Sequence, residues 1–257
     1  MSTLSIQNIS VTFGGLTAVN QVSFSLQSSE MMAVIGPNGA GKTTLFNLIT
    51  GVYSPSGGDV VLDEKSLLHY RPDQINRLGL ARTFQNIRLF PQLTVEENIL
   101  VANHVVPGLW QGFIRPFQTL KEETQLRIEA AQLLSLYGLS AQASALAGSL
   151  SYGEQRKLEI LRALATKPKF LLLDEPAAGM NASEKNELAG LIRKTQEQFN
   201  LGIVLIEHDM KFVMNLVPRI LVLDYGVTIA EGSPKEISSH PKVIEAYLGN
   251  EETCNLK

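Results

Sequence analysis

The chain of 257 residues is 44% hydrophobic and carries 25 acidic against 22 basic side chains, a net charge of −3. This composition supports a large buried core and excludes a disordered chain, and the lack of a net positive field argues against a nucleic-acid partner. The one cysteine, Cys254, cannot close an internal disulfide, which suits a reducing cytosol. Met1-Ser2-Thr3-Leu4-Ser5-Ile6 has neither a basic nor a sustained apolar leader, and runs such as 170–173 and 203–206 fall short of the ~20 apolar residues that span a bilayer. The expectation is a chain that stays inside the cell and reaches a membrane only through a partner.

Residues 4–26 alternate in polarity, most clearly in Val22-Ser23-Phe24-Ser25-Leu26, and predict antiparallel strands about a turn at Gly14-Gly15. Residues 31–35 form a short apolar strand that runs into a glycine-rich loop, and 43–49 continue as a helix ending near Gly51. A strand at 60–62 and a helix at 72–78 lead to Gly79-Leu80-Ala81-Arg82-Thr83-Phe84-Gln85, a strand ending in a polar loop. Between about 93 and 165 the periodicity is helical, with helices at 95–102, 120–136 and 154–165. This predicts a helical subdomain inserted in one domain spanning 1–257. Within it, 103–118 is aromatic-rich and holds Trp110; it reads as a packed loop or as a surface for a membrane partner or the lipid interface. Strands return at 170–173, 202–206 and 220–223, with a helix at 183–198. The alternation predicts an α/β fold with a parallel sheet wrapped by helices.

The loop reads Gly36-Pro37-Asn38-Gly39-Ala40-Gly41-Lys42-Thr43-Thr44. Glycines at 36, 39 and 41 let the backbone turn successive N–H groups toward phosphate oxygens, and the following helix adds its positive end. Lys42 has the reach for the β and γ phosphates of ATP, and the Thr43 hydroxyl suits Mg²⁺. The strand at 170–173 ends in Asp174-Glu175-Pro176. Side chains alternate along a strand, so the two carboxylates are expected to face opposite sides, Asp174 serving Mg²⁺ through water and Glu175 polarising the attacking water. His208 follows the next strand, where an α/β sheet presents side chains to ligands, and is assigned to the γ phosphate; His69, His104 and His240 are read as structural. Ser151 with Glu154 is a capping box before an amphipathic helix, and a capped, glycine-containing helix start is also an anion site. Spacing alone leaves both readings open.

Ser151-Tyr152-Gly153-Glu154, placed shortly before the Asp174-Glu175 strand, resembles the signature sequence of ABC-type ATPases, and the resemblance covers nearly the whole chain. It implies a phosphate-loop nucleotide-binding domain with an antiparallel β region and a helical subdomain. It also implies that Ser151, Gly153 and Glu154 contact nucleotide, that Gln85 senses Mg²⁺, that His208 is the switch histidine and that Phe13 stacks on adenine. Two departures stand out: Tyr152 replaces a glycine of the general signature, and Asn181 replaces an aspartate. Asp174 to Asn181, Ile206-Glu207-His208-Asp209-Met210-Lys211 and Ala246-Tyr247-Leu248-Gly249 are similar to the ATP-binding subunits of branched-chain and hydrophobic amino acid importers. By that resemblance the chain is an energy-coupling ATPase at the cytoplasmic face of the inner membrane, paired head to tail with a second ATPase. Its other partners are two integral permease subunits and, indirectly, a solute-binding protein. Importers of urea or amides are the alternative. A soluble ABC ATPase is disfavoured by the single nucleotide domain, and a GTPase by the missing Asn-Lys-x-Asp motif.

Overall fold

The computed structural model describes residues 1–103 and 116–252. The chain divides into two compact units, one made of residues 1–85 with those from 169 onward, the other of 86–168.

In the first unit, β1 (Thr3–Phe13) and β2 (Leu16–Gln27) pair antiparallel, with Leu4 opposite Leu26 and Ile6 opposite Phe24. The hairpin turns at Gly14 and Gly15, whose φ values of 51° and 89° are open to glycine at little cost. β4 (Gly57–Leu62) takes the other edge of β1, and β5 (Lys65–Ser66) completes this sheet. The second sheet holds β3 (Met31–Ile35), β6 (Leu80–Arg82), β7 (Phe170–Asp174), β8 (Gly202–Ile206), β9 (Arg219–Asp224) and β10 (Val227–Gly232), in the order β10-β9-β3-β8-β7-β6. β3, β7 and β8 are buried along their full length, which is why they read as unbroken apolar runs. β10 lies antiparallel to β9 at the edge. The sequence reading has no strand there, because an edge strand with exposed Thr228 and Glu231 lacks the apolar run that marks a central one.

Helix α1 (Lys42–Ile49) follows β3. Its Leu45, Phe46, Leu48 and Ile49 share one core with Leu4, Ile6 and Phe24 of the first sheet and with Met32, Val34, Val204 and Leu221 of the second. The helix is held between the sheets, and that fixes the loop before it. Helix α2 (Pro72–Leu78) opens on proline, whose preset φ suits a first helical position.

The second unit contains α3 (Val95–Asn103), α4 (Pro116–Leu136) and α5 (Tyr152–Ala165). Asn98, fully buried, closes the turn before α3: its Oδ1 accepts the Phe90 N–H at 2.9 Å, and its Nδ2 donates to the carbonyls of Phe90 and Thr94 at 3.0 and 2.9 Å. A buried ion pair of 2.9 Å joins Arg156 to Glu159 within α5. The aromatic segment read as a packed loop or a surface for a partner falls, from residue 104 to 115 and so including His104 and Trp110, outside the described residues, as does Cys254.

The remaining helices belong to the first unit: α6 (Ala182–Phe199), α7 (Met210–Leu216), α8 (Pro234–Ser238) and α9 (Pro241–Glu252). The sequence reading finds α6 but not α7 to α9; two of those three have too few turns for periodicity to register.

Candidate functional site

The ends of four strands, β3, β6, β7 and β8, and the start of α1 converge at the carboxyl edge of the second sheet. The backbone enters the loop at Gly36 (φ 152°), where a Cβ would run into the carbonyl of Leu223. It enters α1 through Gly41 in the left-handed region (φ 98°), where a Cβ would stand 2.5 Å from the Ala18 carbonyl. Both positions therefore require glycine. No side chain caps α1, so its first N–H groups remain available at the positive end of the helix. The loop borders a cleft of about 300 Å³ lined by Ala18, residues 38–44, Gln85 and Glu175.

Lys42 is 9% exposed, and its Nζ donates to the carbonyls of Gly36 and Pro37 at 2.7 and 2.9 Å. Burial pulls its ammonium below the ordinary lysine value of 10.5, while the facing carboxylates of Glu175 and Asp174 oppose that shift. A cation held this way is matched to an anionic ligand. Thr43 is exposed beside it and Thr44 half-buried.

Asp174 and Glu175 do point into different environments, but not through strand alternation. Asp174 is the last residue of β7; Glu175 leaves the strand with φ 48°, a left-handed conformation uncommon for a residue with a side chain. Its N–H still donates to the Ile206 carbonyl at 2.9 Å, which holds the turn in place. The Glu175 carboxylate accepts a hydrogen bond from Gln85 Nε2 at 3.1 Å, and His208 Nδ1 stands 3.9 Å away. Asp174 is 2% exposed and paired with Arg82 at 2.8 Å. Arg82 also donates to Asn47 Oδ1 at 2.7 Å and stacks over Phe46 and Phe84. Glu207, buried at the end of β8, accepts N–H groups from Ala177 at 2.7 Å and His208 at 3.2 Å.

In the first unit Gln85, Lys42, Thr43 and Glu175 thus line one cleft, with His208 beside Glu175 and with Asp174, sealed against Arg82, near enough to act on Lys42 from outside the lining. Phe13 is 45% exposed and meets Tyr53 edge to face at 5.3 Å, but it is not part of the described cleft lining. Ser151, Gly153 and Glu154 belong to the second unit, where Ser151 caps α5: Glu154 Oε2 accepts from the Ser151 N–H at 2.9 Å and from its hydroxyl at 2.7 Å. Those bonds hold the Glu154 carboxyl below its usual range. Tyr152 Oη accepts from Arg156 at 2.9 Å. Asn181 caps α6, its Oδ1 accepting the N–H groups of Ser183 and Glu184 at 2.9 and 3.0 Å; an aspartate oxygen would do the same.

Sequence reasoning missed Arg82, Glu207 and Tyr53. A charged residue closing a buried strand was the available signal for the first two. For Tyr53 there was none, since its proximity to Phe13 is purely tertiary.

Thr43, Gln85 and Asp174 carry oxygen donors of the kind that a hard cation such as Mg²⁺ accepts. Among the described residues no group of three His, Cys, Asp or Glu side chains stands ready as a metal cage.

The ABC transporter family matches residues 19–178, and the branched-chain amino acid ATP-binding cassette transporter family matches 227–253. The chain is 46% identical, over 96% of its length and 97% of the relative's, to the high-affinity branched-chain amino acid transport ATP-binding protein LivG of Salmonella typhimurium. It is 42% identical over the same shares to BraF, of the same description, from Pseudomonas aeruginosa. The ADP conformation of MJ1267, an ATP-binding cassette of an ABC transporter, superposes with a TM-score of 0.84 at 32% identity, over 97% of this chain and 99% of that one. A phosphate loop faced by two carboxylates, a glutamine and a histidine, together with these full-length likenesses, places the chain in the ABC transporter family as an ATP-hydrolysing, ATP-binding subunit.

Proposed function

We propose that this subunit hydrolyses ATP to energise the import of branched-chain amino acids. The observation that carries the reading is the Gln85–Glu175 hydrogen bond at the mouth of the cleft that the Lys42 loop encloses. It joins the candidate base to the candidate sensor of the nucleotide. Residues 1–257 make one nucleotide-binding domain, with a helical subdomain at about 93–165 inserted in its α/β core.

In this mechanism the N–H groups of the loop and of the first turn of α1 bind the phosphates of ATP, and Lys42 turns its ammonium to the β and γ groups. Thr43, Gln85 and Asp174 would hold Mg²⁺, which would supply positive charge to the phosphates during transfer. Glu175 orients the attacking water and takes its proton at a carboxylate oxygen. His208, 62% exposed on its side chain, donates to the γ phosphate. Phe13, with Tyr53 behind it, offers a ring to adenine. Ser151, Gly153 and Glu154 close on ATP held by a second ATPase subunit, so the active unit is a dimer, homomeric or heteromeric. ATP joins its surfaces, and hydrolysis releases them. No helix among the described residues is long and apolar enough to cross a membrane; the solute passes through two permease subunits, beneath which this chain works at the cytoplasmic face.

Glu175→Gln tests the reading. The variant should retain ATP and accumulate as a nucleotide-bound dimer while hydrolysis falls by roughly 100-fold or more. Undiminished turnover would remove Glu175 from the mechanism. For the substrate, a deletion strain should lose uptake of leucine, isoleucine and valine; normal uptake of these with loss of another solute would overturn the assignment.

A further inference from the structure

The C-terminal segment builds the back of the phosphate loop. Gly36 packs against the Leu223 carbonyl of β9. The Gly226 N–H, in the turn between β9 and β10, donates to the Ala40 carbonyl at 3.0 Å. Helix α9 supplies a third contact, Tyr247. His240, Val243 and Tyr247 fall at i, i+3 and i+7, one face of a helix. Val243 is 5% exposed, and His240 Nδ1 and Tyr247 Oη are both sealed from solvent without a hydrogen-bond partner. Folded proteins rarely bury a polar group in this way, and each case calls for an explanation.

For Tyr247 the surroundings supply one. The Gly36 amide lies beside the phenol closely enough to favour its ionised form, against a burial effect that pushes the phenol up. Yet no hydrogen bond of normal geometry forms. Gly36 is also the residue whose carbonyl receives Lys42 Nζ. The phenol, the Gly36 peptide and the Lys42 ammonium are therefore consecutive links, the first of them unmade.

We infer that Tyr247 is a positioning residue of the nucleotide site: its phenol oxygen takes the Gly36 N–H when the loop tightens on phosphate, tying the docking of α9 to the placement of Lys42. The inference rests on the reading that residues 36–44 hold ATP. Coupling of this kind is reciprocal, so bound ATP must also hold α9 more firmly. A purely structural tyrosine predicts the opposite pattern, because replacing an unpartnered buried hydroxyl by hydrogen is neutral or stabilising and has no reason to touch nucleotide affinity.

The test uses the full-length chain and Mg-ATP, comparing wild type, Tyr247→Phe and Lys42→Ala. Tyr247→Phe should weaken ATP binding about fivefold, at the low end of site-to-site coupling, with a Tm equal to or above that of wild type. Amide exchange over residues 241–252 should slow on adding ATP to the wild type and stay unchanged in Tyr247→Phe. Wild-type ATP affinity in Tyr247→Phe, a fall in affinity matched by a fall in Tm, or exchange indifferent to ATP in the wild type would each overturn the role. If the wild type itself binds no ATP, the nucleotide reading fails; if it binds, Lys42→Ala does not and Tyr247→Phe is unaffected, only the role of Tyr247 falls.

Discussion

At the scale of single residues, Arg82 and Asp174 show how a site carboxylate is kept in place. Both are nearly solvent-free, 6% and 2% exposed on their side chains, and 2.8 Å apart. Removing one member of such a pair leaves a buried charge without a partner, so Arg82→Ala should cost about 3–5 kcal/mol, read as a lowered urea midpoint. Glu207 makes a separate, pH-dependent prediction. Burial raises its carboxyl above the ordinary value of 4.5, against the N–H bonds that lower it. The folded state therefore favours the protonated form. That contribution to stability is fully present below the unfolded value and is lost as pH rises through the folded one. Denaturant titrations from pH 4 to 8 should show the wild type losing stability relative to Glu207→Gln as pH climbs; parallel curves would remove the effect. The pairing of Asp174 with Glu175 was legible in the sequence. The positive φ of Glu175 was not, because it follows from the turn that carries its N–H to Ile206.

At the scale of elements, helix ends carry much of the local specification. Asn181 stands where an aspartate was expected, and its two accepted N–H bonds make it a complete cap for α6. Asn181→Ala should cost about 1 kcal/mol, whereas Asn181→Asp should hold or slightly raise stability, since its charge also suits a helix N-terminus. Thermal melts of the two variants separate these outcomes, and a cost for Asp equal to that for Ala would rule out the capping account. The same logic made α5 readable, because its Ser151–Glu154 box is written in adjacent residues. The turn before α3 was not readable: Asn98 closes it through Phe90 and Thr94, and nothing in the polarity pattern marks an asparagine as buried.

At the scale of the whole molecule, ligand and fold are linked. ATP that binds only the folded chain should add about 2.7 kcal/mol of stability at a concentration near 100 times its Kd. Tm measured with and without Mg-ATP should rise for Glu175→Gln and stay flat for Lys42→Ala; an equal rise in both would separate stabilisation from the phosphate loop. By itself the sequence determined the phosphate loop, the central strands, the main helices and the order of Gln85, Ser151, Asp174, Glu175 and His208. Each of these is set by local chemistry: glycine where φ must be positive, unbroken apolar runs where both faces are buried, a cap where a helix begins. Only the tertiary structure decided that Arg82 neutralises Asp174, that Tyr53 backs Phe13, and that the C-terminal hairpin and Tyr247 stand behind Gly36. Those partners are separated by 92, 40 and about 200 positions in the chain, and it is the parallel pairing of β6 with β7 and of β3 with β9 in the second sheet, not any local pattern, that brings the first and the last together.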